Sequence, residues 1–303
     1  MSYRIDPALP VDAELRRIAG EELATMRSQL KEMPEGRQRA LHMTRKSIKR
    51  LRGLLRLIRK GDEDFYHAQN ARLRDLARAL SRQRDADAAV ETLDRLLERE
   101  KDDDKREVLG TAHRALDQRR VQIIEEEAGR SDLIPSALEE IDTVEHAFAA
   151  LALPADADEG AKLLASGART MITKARKAFK HARKRGDEHD FHEMRKSVKY
   201  HWMHLGLLGP MWPGSRLSRR KRAERLGDVL GELNDIANLS HLLKADELSL
   251  DPKAAKLLQK RIGQREKQLR RQALAHAEEL FDKEGKKLRR KIERVMQREK
   301  QDH

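Results

Sequence analysis

The chain has 303 residues, of which 38% are hydrophobic, 39% charged and 3% aromatic, with a net charge of +13 and no cysteine. That balance excludes a thick single core, disulfides and thiolate metal sites, and favours slender helical bundles in a reducing cytosol. No apolar run approaches the roughly 18 residues of a membrane span, and the first residues carry no apolar stretch, so neither a spanning helix nor a secretory signal is expected.

In chain order, Pro7 and Pro10 delay the first helix, which runs over 11–31 with Leu15, Ile18, Leu23, Met26 and Leu30 as its apolar positions. Pro34 and Gly36 punctuate it. The next helix, reaching Arg59, carries two patterns. Leu41, Thr44, Ile48, Leu51, Leu55 and Ile58 step by three and four, which marks one buried stripe. His42, Arg45, Lys46, Lys49, Arg52 and Arg56 occupy an adjoining stripe, a cationic row about 21 Å long at 1.5 Å per residue. Residues 35–59 hold nine Lys/Arg against one acid. A merely solvated face would interleave Glu with Lys, because like charges at i,i+4 repel. Gly61-Asp62 reads as a glycine stop followed by an N-cap. A long helix is predicted over 62–100, a solvated turn at 101–104, another helix over 105–128, and a break at 129–135. A connecting helix at 136–151 then leads to a boundary at 152–160, poor in apolar periodicity and holding Pro154 and Gly160.

The second half replays this plan: a helix over 161–185, a stop at Gly186-Asp187, a helix carrying His192 up to Gly209-Pro210, and a long helix to about 245. Asp251-Pro252 is an N-cap with proline in first position, opening a final helix toward residue 300 with a strongly basic tail at 286–298. His192-Glu193-Met194-Arg195-Lys196-Ser197-Val198-Lys199 matches His42-Met43-Thr44-Arg45-Lys46-Ser47-Ile48-Lys49 at an offset of 150. Phe191, Met194, Val198, His201, Leu205 and Leu208 repeat the buried stripe at that offset. Leu76, Leu80 and Asp85 likewise match Leu226, Leu230 and Asp235. The pattern predicts a tandem duplication, with halves 1–151 and 152–303, the first having a connecting helix beyond its four. Short joints between long helices predict antiparallel neighbours, hence an all-α chain of two four-helix bundles sharing a basic groove.

The H-x-x-R-K-x-x-K helix, followed by L-x-x-L and Arg84-Asp85-Ala86-Asp87, resembles the CHAD family, the conserved histidine α-helical domain, over nearly the whole chain. The resemblance implies two four-helix bundles related by a pseudo-twofold, and the binding of inorganic polyphosphate. The second half departs at Tyr200-His201-Trp202 and at Asn234-Asp235-Ile236-Ala237.

Charge is concentrated: residues 161–225 hold 18 Lys/Arg and 5 Asp/Glu, whereas 85–104 hold nine acids and three bases. Such asymmetry points to a localised anionic partner. The candidate ligands for phosphate are His42, Arg45, Lys46, Lys49, Arg52 and Arg56, with His192, Arg195, Lys196 and Lys199. Arg27 and its counterpart Lys177, then Lys180, with Arg176 and Lys184, extend the rows, as does Arg222, counterpart of Arg72, with Arg219 one turn before. Arg84, Asp85 and Asp235 read as pairings that orient these cations between helices, and His201, on the apolar stripe, as a core histidine with a local partner. Asp187, His189, Asp190 and His192 lack zinc-helix spacing, and Ser47 and Ser197 lack a base and orienter, so no metal, cofactor or catalysis is expected. The residues alone leave nucleic acid and a base-less phosphate polymer both open. Single-strand binders stack bases on aromatics, which the basic stripes nearly lack, and the resemblance favours polyphosphate in the cytoplasm, extending to its granules. A phosphohydrolase or an interaction scaffold is the remaining alternative.

Overall fold

The computed structural model describes residues 3–153, 157–212, 216–245 and 247–281, and these are all-helical. The elements are α1 (Val11–Glu32), α2 (Arg37–Ile58), α3 (Glu63–Ala79), α4 (Arg82–Leu97), α5 (Asp103–Ala128), α6 (Leu133–Ala149), α7 (Ala157–Arg185), α8 (Glu188–Leu207), α9 (Arg216–Lys244) and α10 (Pro252–Phe281), with a 3-10 turn at Gly209–Met211. The basic tail predicted at 286–298 lies outside the described residues, as do parts of the boundary at 152–160.

Helix ends follow local chemistry. Asp62 accepts from the Phe65 N–H at 2.8 Å, and Asp187 from the Asp190 N–H at 2.8 Å. Asp251 accepts from the N–H groups of Lys253 and Ala254. Each satisfies donors the first turn leaves open. Gly186 leaves α7 in the left-handed region, φ 70°, as a stop glycine should. Gly61 does not. Its missing Cβ instead admits the side chains of Leu163 and Leu153, which a methyl would meet at 2.8 and 2.9 Å.

Two closed rings of helices result. Helices α7, α8, α9 and α10 pack in sequence and close through α10 on α7. In the first half, α1 packs on α2, α2 on α3, α3 on α6 and α6 on α1. The sequence assigned the fourth place to 105–128 and ran one helix over 62–100; the structure corrects both. The chain breaks at Leu80-Ser81, because α3 faces α2 and α6 whereas α4 faces α5 and α9, which no straight helix can do at once. The α4–α5 hairpin then leans on α9 and α10, and α6 fills the vacated place. Pro135 sits in the first turn of α6, where a proline costs no hydrogen bond.

Helix α2 is the hub, packing on α1, α3, α4, α7 and α8. The apolar stripes predicted for α1, α2 and α8 are all buried, His201 included. Burial runs identically along 41–48 and 191–198, leaving His42, Lys46, His192 and Lys196 exposed and Thr44, Ser47, Met194 and Ser197 inside. At the α2–α7 contact, a Cβ on Gly167 would come within 2.0 Å of the Leu57 carbonyl oxygen. Gly167→Ala should therefore force two helix backbones apart and cost about 1–3 kcal/mol. Gly227→Ala, on α9 with nothing within 4 Å of the new methyl, should add about 0.5–1 kcal/mol. Paired urea unfolding curves for the two variants test this; equal midpoints would remove the close α2–α7 approach.

Candidate polyanion-binding cleft

Helices α2 and α8 cross at Gly53. A Cβ there would meet the Tyr3 hydroxyl at 3.0 Å and the Met203 sulfur at 3.1 Å. His204 Nε2 lies 2.9 Å from the Gly53 carbonyl oxygen, which requires the proton on Nε2. Tyr3 donates to the Arg50 carbonyl at 2.6 Å, binding the N-terminal segment over the same crossing. His204 is fully buried and its pKa is pushed down to about 4, first by burial, although the Gly53 bond opposes this. His201 is also buried and held well below its usual value by burial and by Arg219, whose Nε donates to it at 3.0 Å. The two imidazoles are thus neutral parts of the crossing, and His201 is the core histidine that its stripe position predicts.

Beside the crossing opens a cleft of ≈ 600 Å³. Helix α2 lines it with His42, Arg45, Lys46, Lys49 and Arg50, and α4 with Arg84. Helix α8 contributes Lys199, Trp202, Met203 and Gly206, α9 adds Arg216 and Arg220, and the N-terminal segment Tyr3 and Arg4. Lys49 is solvent-exposed by area yet walled by protein, and its ammonium is pushed down to about 7. Partial desolvation is the first cause, followed by Lys199, Arg45, Arg195 and Arg84. Lys199 is lowered by desolvation and by Arg195, and Asp228 and Asp235 oppose this. Desolvation, then Arg84 and Lys49, lowers His42. Among the described residues no carboxylate pairs with Lys49, whereas Arg45 donates to the Ala77 carbonyl at 2.8 Å and has Asp85 at 4.0 Å. The cleft holds cations that repel one another, with donors turned to solvent.

The predicted ligands separate into groups. His42, Arg45, Lys46, Lys49 and Lys199 line the cleft, and Arg195 stands within electrostatic reach of Lys49. Arg52 and Arg56 both donate to Asn70 Oδ1 at 3.1 Å, and the Arg56 guanidinium lies 3.9 Å over the Tyr200 ring. With Arg59, Lys196 and Lys174 they make a second basic cluster, in which desolvation, then Arg59 and Arg56, lowers Lys174. Lys196 is also paired with Glu193. His192 is outside the cleft, its Nδ1 3.0 Å from Asn234 Oδ1 beside Glu266 and Arg270.

Arg27 does not extend the row: it is clamped by Asp142 at 2.6 Å and Glu145 at 2.5 Å of α6. Arg222 turns to the Glu279 carbonyl of α10 at 3.4 Å, and its counterpart Arg72 to Glu140 at 3.1 Å. Lys177 and Lys180 are exposed on α7, outside the cleft lining. Arg84 binds Glu91 through two bonds, 2.7 and 3.1 Å, yet lines the cleft itself. Asp85 is 63% exposed rather than buried, and Asp235 pairs with Arg95 at 3.4 Å. Arg4, Arg216 and Arg220 also line the cleft, outside the repeated motif. Arg220, stacked 4.9 Å over Trp202, lies in 219–222, the longest unbroken Lys/Arg run of the chain, a sequence signal that could have found it.

A family model for the CHAD domain matches residues 17–244. Among solved structures, PptA from Streptomyces chartreusis is similar at 16% identity and a TM-score of 0.62, over 89% of this chain and 100% of that one. The CHAD domain from the plant Ricinus communis is similar at 17% identity and a TM-score of 0.58, over 95% of this chain and 93% of that one. A search of curated proteins found no match. Among the described residues no helix is long and apolar enough to cross a membrane, and no group of three or more metal-ligating side chains gathers.

The cleft makes a titration testable without ligand. Because the folded pKa of Lys49 lies below its ordinary 10.5, the unfolded chain binds more protons between those values. Lys49 should therefore make stability rise as pH climbs from about 7 toward 10.5, its destabilising effect being complete below 7. Isotope-edited NMR of the Lys49 amine should give a midpoint near 7, and Lys199→Gln should move it up. A midpoint near 10 in the wild type would mean the four cations are not held together.

Proposed function

The chain belongs to the CHAD family, and from that membership together with the cationic cleft we propose that it is a non-catalytic binding module for inorganic polyphosphate. The observation that carries this reading is the unpaired Lys49 among Arg45, Arg84, Arg195 and Lys199. Polyphosphate supplies one negative charge per unit along a flexible chain, which is what a file of charge-assisted donors without base-reading groups can hold. We take the two halves, 1–151 and 152–303, as a duplicated pair about a pseudo-twofold. The matching burial along 41–48 and 191–198 supports that view. In this reading the second cluster, at Arg52, Arg56, Lys174 and Lys196, receives the chain where it leaves the cleft. The site belongs to a cytoplasmic protein that can attach to polyphosphate granules.

Long-chain polyphosphate should bind with an affinity that drops steeply as salt rises, because each neutralised phosphate releases counterions. At matched salt it should outcompete single-stranded and duplex DNA. Replacing Arg45, Lys46 and Lys49 together by Ala should cost about 100-fold or more, at roughly 1.5–3 kcal/mol per charge-assisted bond less screening, with the helical circular dichroism unchanged. Equal binding of DNA, or an unaffected triple variant, would defeat the reading.

Protons report the same contact. A polyanion favours the charged forms of Lys49 and His42, both lowered in the free protein. Binding should then take up protons, with affinity constant below the free-state values and falling as pH rises through about 7. Calorimetry in buffers of different ionisation enthalpy measures the uptake directly. Orthophosphate release from the polymer, lost in His42→Gln, would instead make this an enzyme.

A further inference from the structure

Lys49 combines three properties that few surface lysines share. It is exposed, it lines a cleft rich in cationic donors, and among the described residues no carboxylate pairs with it. The charged groups that act on it most strongly are cationic: Arg45 on its own helix, Arg195 and Lys199 on α8, and Arg84 on α4. His42, also on α2, is coupled to it as well, while Asp228 and Asp235 act on Lys199. Arg216 and Arg220 of α9 line the same cleft. An amine crowded by cations and partly desolvated is a nucleophile at neutral pH, as general lysine chemistry requires.

We propose that Lys49 is an acylation site whose donor is a small acyl phosphate, captured by its phosphate on Arg45, Arg84 and Lys199. This rests on the polyanion reading of the cleft. The Lys49 nitrogen lone pair bonds to the acyl carbon, and the bond from that carbon to the bridging oxygen breaks with its electrons left on orthophosphate. The proton lost by the nitrogen goes to the departing phosphate. No oxidant or reductant enters. The product is an amide at Lys49, which removes one cation from the cleft and so weakens its hold on a polyanion. The same anion-binding groups therefore recruit the reagent that turns the site down.

With a pKa of about 7, roughly half of Lys49 is neutral at pH 7, against fewer than about one in a thousand of ordinary lysines. A weaker base is also a weaker nucleophile, so the net advantage is smaller than that ratio. The full chain, incubated with acetyl phosphate at pH 7 and digested for quantitative mass spectrometry, should acetylate Lys49 at least about tenfold faster than Lys253 and Lys260. Those two are exposed on α10, away from the cleft, and serve as internal references within one folded sample. Raising the pH to 9 should narrow the gap, since only the reference amines gain neutral fraction. Acetic anhydride, which has no phosphate to dock, should show a smaller preference for Lys49. Long-chain polyphosphate should protect Lys49 and leave the references unchanged. Equal rates at Lys49 and the references would overturn the acylation site even where polyphosphate binds normally. An equal preference with anhydride and acetyl phosphate would overturn capture by the phosphate. Failure of polyphosphate to bind, measured separately by titration, would sink the function proposed above while leaving a fast Lys49 to stand.

Discussion

Repulsion among the cations at the α2–α8 crossing is the constraint on which the rest of this molecule depends. Lys49, Arg45, Arg195 and Lys199 would separate if their helices were free to do so. What holds them is apolar burial on the opposite faces, where Ile48, Leu51, Leu55, Val198 and Leu205 are each fully enclosed. At about 1.5–3 kcal/mol for each such side chain, their combined burial outweighs the cost of crowding and partly desolvating these cations. The core therefore sets the geometry and the surface tolerates it. A site so made is unfavourable when empty, and the polyanion proposed above would relieve that repulsion.

The crossing is also specified by polar groups that burial alone would not select. His204 ties α8 to the Gly53 carbonyl, and His201 takes a bond from Arg219 while its ring lies 5.7 Å from that of Trp212. Both histidines are neutral, so they add no further positive charge behind a face that already carries too much. A buried hydrogen bond of this kind favours one register of α8 on α2, since a shifted helix would leave the Gly53 carbonyl and the imidazole unmatched. Phe or Leu at these positions would pack, yet would not distinguish one register from another.

The helices and their buried faces were legible because the 3.6-residue period is a local property, and local spacing decides which side of α1, α2 or α8 faces in. Capping at Asp62, Asp187 and Asp251 was legible for the same reason. What the residues could not show was who stands opposite. Arg27 and Lys177 occupy corresponding positions, but α6 brings Asp142 and Glu145 to Arg27, whereas among the described residues α10, in the same place of the second ring, pairs no carboxylate with Lys177. The break at Leu80-Ser81 was hidden because each side of it is helical by itself; only the different partners of α3 and α4 force it. Arg84 reads as one of the pairings that orient cations between helices, but its bond to Glu91 stays within α4. Its place in the cleft depends on how α4 meets α2, which no motif encodes.

The same reasoning explains why the two halves do not build two equal clefts. On α8, Trp202, Met203 and Gly206 face the cleft; at the offset of 150 their counterparts on α2 are Arg52, Gly53 and Arg56. Gly206 leaves space in the cleft that Lys199 also lines, with nothing within 4 Å of where its Cβ would be. Arg56, at the equivalent place, fills the space by lying on Tyr200 and reaching Asn70. One end is thus open, lined by exposed amines and guanidinia, and the other is closed by an arginine already stacked and hydrogen-bonded. Desolvation lowers both Lys49 and Arg56, but only Lys49 is crowded by cations alone, whereas Tyr200 and Tyr66 partly offset the cost for Arg56. An incoming anion gains most where the cations are least satisfied. On the polyphosphate reading proposed above, the open end would take the first phosphate, and the closed end would yield only to a chain long enough to displace Arg56 from its ring.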